Sequence, residues 1–459
     1  MCRTLGRQPS SPFAPTRRIA AWASTIAAVS IASVAQGHAG DGEGPMGEER
    51  SVEAPIQARV HRGAMRHVQL VALPDSDESQ GLVASASHLF KRTKGGKLER
   101  DGSAITLHRA GSGKLLETMA VEGALLPSET FSAPVIWRFL NAEPSPFVAM
   151  IRGGSLQLRQ FPTGTVQCRV EGARKILDGR VYMDAEGESR IEVLVLGEGV
   201  IRRVECDRFG KLVQARVVSR TGVAGAFVRG FDRTILGTAR DGVAIVERPW
   251  GEDALGAGLR VFNRLGEVQR VIDLPGTVAF AKEPRRIDFR CAAWGSDEGF
   301  LVAFSQPAFD RAVGRLTLVD ISLAGEESVL YDGTPWPRIV SNTVNASHFG
   351  QCIGFVRDVD GDGLADVAIG APSHMMGLPA LSIIGSGGGE VLSRFEGEFF
   401  DRVGASVSIG PMGRRALVGV VPPGYPDDLS RPGYACLIEV PEAAERSFDR
   451  VRTYRSTWR

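Results

Sequence analysis

The chain is expected to be all-β, and three features predict it. A strand, a glycine turn and a second strand recur along its length. Beyond the N-terminal segment, no stretch sustains the apolar period of a helix. Glycine is abundant, at 55 of 459 residues, as many short strands with tight turns require. With 43% hydrophobic and 23% charged residues, the chain can bury one large core or several small ones. A formal net charge of +1 gives no electrostatic ground for nucleic-acid binding.

Taken in order, residues 1–39 read as a signal peptide. Arg17-Arg18 precede an apolar run from Ile19 to Ala35, and Ser33-Val34-Ala35 or Gly37-His38-Ala39 could be the cleavage site. The run is rich in Ala and Ser and is short for a membrane span. The expectation is export to the periplasm, cell surface or medium, with no stable membrane span after cleavage. Thr16-Arg17-Arg18-Ile19 has the outline of a twin-arginine signal, but Ala20 and Ala21 stand where bulky apolar residues are preferred, so the export route stays open. Residues 40–57 form an acidic, glycine-rich linker with few large apolar residues.

From about residue 58 to the C-terminus a single unit repeats. Its hairpin is found at 104–119, 155–170, 200–217, 259–272, 316–331 and 381–395, with turn glycines Gly113, Gly164, Gly210, Gly266, Gly325 and Gly389. A seventh hairpin without a turn glycine fits 434–440 and 448–455. The intervals between the glycines are of the size that propeller blades occupy. One small sheet cannot bury both of its faces, whereas copies stacked around an axis can. The spacing therefore predicts a seven-bladed β-propeller of four-stranded blades over 58–459; six or eight blades are compatible with it, and two separate β-sandwiches are the alternative. The apolar strands 299–307, 365–372 and 415–424 each end toward a proline, which cannot donate to a sheet ladder.

One stretch carries chemistry. In His348–Pro372, Asp358, Asp360, Asp362 and Asp366 stand at positions 1, 3, 5 and 9 of a loop whose position 6 is Gly363. Four hard oxygen donors so close repel one another unless a cation lies between them, and Ca²⁺ takes six to eight such oxygens. An EF-hand would need a bidentate Glu at position 12, but Ile369 stands there, inside an apolar run that reads as a strand. The expected ligands are the side chains of Asp358, Asp360, Asp362 and Asp366 and the backbone carbonyl of Leu364.

With Phe349-Gly350 before the loop and Gly370-Ala371-Pro372 after it, the stretch resembles the FG-GAP repeat of integrin α-chain β-propellers and related secreted proteins. That resemblance implies a propeller blade with Ca²⁺ in a hairpin loop. It also implies a binding or adhesion module whose protein or glycan ligand sits on the face opposite the calcium loops. Residues 400–407 echo the FG element less closely.

A weaker copy of the loop lies three repeat units earlier, with Asp184, Glu186, Glu188 and Glu192 at positions 1, 3, 5 and 9 and Ser189 at position 6. It supports the repeat more than it supports a second ion, since longer side chains crowd the loop. The equivalent turn at 410–415 brings Arg414 and Arg415 and cannot bind a cation.

Six cysteines, five of them beyond the signal, lack any CxxC spacing, which argues against zinc or a redox motif and leaves an odd thiol. No HExxH, GxSxG, P-loop or dinucleotide turn is present, and catalytic residues are not assigned. His61 and His67 with Asp75 and Asp77 could meet on one face. The alternative to a binder is a propeller enzyme, a lyase or hydrolase on polysaccharide or lipid, with its site in a central channel. A structural component of the cell envelope is a third reading.

Overall fold

The computed structural model describes most of residues 67–455, with its longer interruptions at 73–80, 123–134, 138–145, 248–256, 275–288, 334–347, 373–379, 422–433 and 442–450. Residues 1–39, read as a signal peptide, the stretch at 40–57, read as a linker, and His61, Asp75, Asp77 and the side chain of His67 lie outside the described residues. Among the described residues every regular element is a strand, and no helix is long and apolar enough to cross a membrane.

The first sheet is a meander of β1 (His67–Ala72), β2 (Leu82–Arg92), β3 (Leu98–Arg109) and β4 (Leu115–Glu122). The second is β5 (Val135–Trp137), β6 (Phe147–Arg152), β7 (Ser155–Gln160) and β8 (Val166–Glu171). The third is β9 (Lys175–Met183), β10 (Ser189–Leu196), β11 (Ile201–Asp207) and β12 (Leu212–Ser219).

An eight-stranded sheet follows. One half contains β13 (Gly222–Gly230), β16 (Val243–Glu247), β17 (Ala257–Phe262) and β18 (Val268–Leu274), with a ribbon of β14 (Thr234–Ile235) and β15 (Thr238–Ala239) between β13 and β16 in sequence. The other half contains β19 (Arg290–Gly295), β20 (Gly299–Gln306), β21 (Arg315–Ser322) and β22 (Glu327–Gly333), joined to the first by a short parallel pairing of β13 with β19. Two further meanders complete the chain: β23 (Cys352–Phe355), β24 (Val367–Ala371), β25 (Ala380–Ile384) and β26 (Val391–Glu396), then β27 (Arg402–Ile409), β28 (Arg415–Val421), β29 (Tyr434–Glu439) and β30 (Val451–Arg455).

Every hairpin predicted from the repeat is present as the last two strands of a meander, including the seventh, β29–β30. Gly164, Gly210 and Gly389 take positive φ in their turns, a conformation a side chain resists.

The burial pattern explains the composition of each strand. Strands β16, β20 and β24 are buried along their whole length and are apolar except at the ends of β16 and β20, where Glu247, Ser305 and Gln306 are buried polar residues. On β20, Phe300, Val302 and Phe304 pack to one side and Leu301 and Ala303 to the other, the period of two that a strand covered on both faces must show. The fourth strands are exposed edges: β12 and β22 keep most residues in solvent, among them Leu212, Val213, Val217 and Val329.

The apolar clusters lie between the meanders rather than within them. Ile105 and Leu107 pack with Val148 and Phe161; Leu158 and Cys168 with Ile191 and Val204; Leu194 and Ile201 with Phe227 and Val243. Val246 and Val261 meet Phe300 and Val302, Leu301 and Leu316 meet Val367 and Ile369, and Ala368 and Leu381 meet Val418 and Ile438. A last cluster joins Val83 and Ala110 of the first meander to Leu417, Ala435 and Leu437 of the last.

Candidate metal centre

The loop at 356–366 joins β23 to β24, whose register pairs Phe355 with Val367. Buried Val356 and Val359 pin its incoming arm, and the Val356 amide donates to the Asp366 carbonyl at 2.8 Å to close its base. Gly361 and Gly363 take φ of 86° and 90°, so the chain doubles back where the sequence places its bend.

The aspartates turn inward onto loop amides. Asp358 accepts from Gly361 N at 2.6 Å and Gly363 N at 2.9 Å, Asp360 from Asp362 N at 3.1 Å, and Asp362 from Leu364 N at 2.8 Å. Asp366 is fully buried and accepts from Val359 N at 2.7 Å and from Ser386 N at 3.0 Å.

These turns bring carboxylate oxygens of Asp358, Asp360 and Asp366 within 4.8 Å of one another. Asp362, the fourth expected side-chain ligand, stands outside that trio. Leu364, expected to give its carbonyl, is half-buried. At an effective dielectric near 20, two full charges 4.8 Å apart repel by roughly 3 kcal/mol, more than a loop amide returns. Burial first, and the charges of Asp360 and Asp362 second, push Asp366 up to about 7 despite the two amides that favour its ionised form. Asp360 is also raised, mainly by burial. A proton or a cation relieves that repulsion. An all-oxygen donor set with neither thiolate nor imidazole suits a hard cation such as Ca²⁺.

A second wall of the site was not anticipated from the sequence. The β25–β26 turn, Gly385-Ser386-Gly387, lies directly against the loop. A Cβ at Gly385 would stand 2.9 Å from Asp360 Oδ2, and one at Gly387 would stand 2.5 Å from Asp362 Oδ2. Ser386 holds the loop twice, through its amide to Asp366 and through Oγ donating to the Ala365 carbonyl at 2.6 Å. The signal was present in the run Gly385–Gly389, which by itself reads only as a hairpin turn.

Residues 349–391 match the FG-GAP repeat family model. The FG-GAP segment takes in β23, β24, β25 and the aspartate loop. Its signature residues have physical work outside the loop. Phe349 is fully buried between sheets. Gly350, at φ 92°, lies so close to Ser305 of β20 that a Cβ there would approach the serine Cβ to 2.6 Å, and Ser305 Oγ donates to the Gly350 carbonyl at 2.8 Å. Gly370 has no room for a Cβ against the Gly404 carbonyl of β27, and Gly404 itself takes φ of 77°. The FG glycine thus lets the chain settle on a serine side chain of the neighbouring sheet, and the GAP glycine lets it meet a neighbouring backbone carbonyl.

No curated protein sequence matches the chain. Among solved structures, the chain is similar to hydrazine synthase of Kuenenia stuttgartiensis (11% identity, TM-score 0.44, covering 86% of this chain and 99% of that one). It is also similar to the Dos1 propeller (10%, TM-score 0.46, 86% and 85%) and to Hsv2p of Kluyveromyces lactis (9%, TM-score 0.39, 81% and 93%). Likenesses of that size say nothing of what this chain binds.

The weaker copy at 184–192 occupies the equivalent position between β9 and β10, but its Asp184 and Glu192 are matched by arginines. Asp184 accepts from the Glu186 and Glu188 amides at 3.0 and 2.8 Å and pairs with Arg190 at 2.8 Å. Those bonds outweigh burial and hold its carboxyl below the usual range. Glu192, fully buried like Asp366, is paired with Arg180 at 2.8 Å and with Arg203. The bend falls on Gly187, at φ 79°, rather than on Ser189.

Proposed function

We propose that this chain is an exported β-propeller of seven four-stranded blades, stabilised by calcium and acting as a binding or adhesion module for a protein or glycan. The observation that carries the reading is the trio of carboxylates in the FG-GAP segment, gathered on a loop fixed by its neighbours. Asp358, Asp360 and Asp366 would hold the ion, with Asp362 and the Leu364 carbonyl completing its shell. The ion's part is to neutralise the loop and fix it to the β25–β26 turn. The clusters between successive meanders, and the one joining the last to the first, support closure into a ring. By analogy with the family, the ligand would sit on the face opposite the calcium loop. Export rests on the apolar run at 19–35.

The test is a pair of thermal melts with calcium and with EDTA. Wild type is expected to melt several degrees higher in calcium, because a ligand bound only to the folded state stabilises by mass action. Asp360→Ala is expected to melt below wild type in calcium and to lose the shift. A wild-type melt indifferent to EDTA sinks the calcium reading. Glycan-array binding in calcium, with no release of reducing sugar from polysaccharides, is the outcome that favours a binder over a hydrolase.

A further inference from the structure

We propose that Cys168 and Cys206 form a disulfide that staples the second sheet to the third when the protein folds in an oxidising environment. Cys168 lies on β8 and Cys206 on β11, in separate meanders, yet both are buried in the same packed cluster with Leu158, Ile191 and Val204. Both are free thiols in this structure, buried in that one cluster and near enough to perturb each other's ionisation. Nearby, the turn after β11 packs tightly on side chains of the second sheet. A Cβ on Gly210, in the β11–β12 turn, would stand 3.1 Å from the Cβ of Gln167, the residue before Cys168, and 2.8 Å from the Phe147 ring.

Cys352 and Cys291 lie outside that cluster, with Cys291 packed against a different one. Cys352 donates to the Gly404 carbonyl at 3.1 Å, and burial pushes both it and Cys291 up to about 12. In the pair, the neighbouring Cys206 lowers Cys168, while Cys168 and burial raise Cys206. Before the sheets pack, either thiol can make the first attack; in the exchange that follows, Cys168 leads.

The oxidant is a small-molecule disulfide such as oxidised glutathione. The Cys168 thiolate attacks one of its sulfurs, breaking that S–S bond and releasing one glutathione thiolate, which takes up the proton that Cys168 lost. Cys206 then gives up its proton and attacks the Cys168 sulfur, forming the protein S–S bond and releasing the second glutathione as its thiol. One disulfide is consumed and one is made. Burial of both sulfurs places this exchange before the two sheets have packed together. The pairing is independent of the cation reading; it needs only the oxidising compartment that the proposed export would supply.

The test refolds the full chain in a mixture of oxidised and reduced glutathione, then alkylates it under denaturing conditions and maps peptides with and without reduction. The expected result is a 168–206 cross-linked peptide, with both cysteines alkylated only after reduction. The oxidised protein should also melt several degrees above the same protein in dithiothreitol, and Cys206→Ala should melt alike in both. Alkylation of both cysteines without prior reduction, or cross-linking of Cys168 to any other cysteine, overturns the proposal. The mapping uses wild type alone, so it stands even if the variant fails to fold.

Discussion

Asp366 is the residue on which the loop turns. Its carboxyl is raised to about 7 when no cation is bound, chiefly by burial. A folded state that raises the pKa of an acid binds more protons than the unfolded chain. Its contribution is therefore complete below the unfolded value, near 4, and is lost as pH rises toward 7. In EDTA, wild type is expected to lose stability as pH rises from about 4 to about 7, and Asp366→Asn is expected to flatten that slope; denaturant titrations across the range measure it. Equal slopes for the two proteins would remove Asp366 from the account. The four aspartates were legible because alternate carboxylates around a glycine have few other uses. The arginines that serve the weaker copy were not. Arg203 reaches Glu192 from the next strand, and sequence spacing does not report a diagonal across a ladder.

At the scale of the element, the hairpins were read almost whole, since a turn glycine between alternating strands is a local signal. Contacts between sheets were harder, because they join residues tens of positions apart. The GAP glycine shows the difference: the sequence marks Gly370 as a motif letter, and only the packing reveals that the Gly404 carbonyl lies where a Cβ would be. Gly370→Ala is expected to cost about 1–3 kcal/mol by overpacking and to separate β24 from β27. Chemical denaturation should give a lower midpoint with an unchanged slope. At the site, Gly387→Ala would drive a methyl into Asp362 Oδ2; calorimetry is expected to show weaker calcium binding with little change in the calcium-free melt.

For the whole molecule, the decisive packing is the one between its first and last sheets. Val83 and Ala110 share a cluster with Leu417, Ala435 and Leu437, so residues from opposite ends of the chain cover each other's apolar surface. Leu417 is fully buried there, and Leu417→Ala is expected to cost about 2–5 kcal/mol, as much as a cavity in the middle of any core. A cost at the level of an ordinary surface substitution would mean that the two ends do not depend on each other. The repeat length made such an arrangement legible; which side chains meet at the junction was not, because the terminal hairpin lacks the glycine that marks the others. The arginines around Glu192 carry a further consequence. One copy of the loop has its positive charge built into the chain by covalent bonds, and on the proposed calcium reading the other would borrow its own from solution. Withdrawing calcium should therefore speed amide exchange over 358–366 and leave 184–192 untouched, so the molecule would soften on one side only.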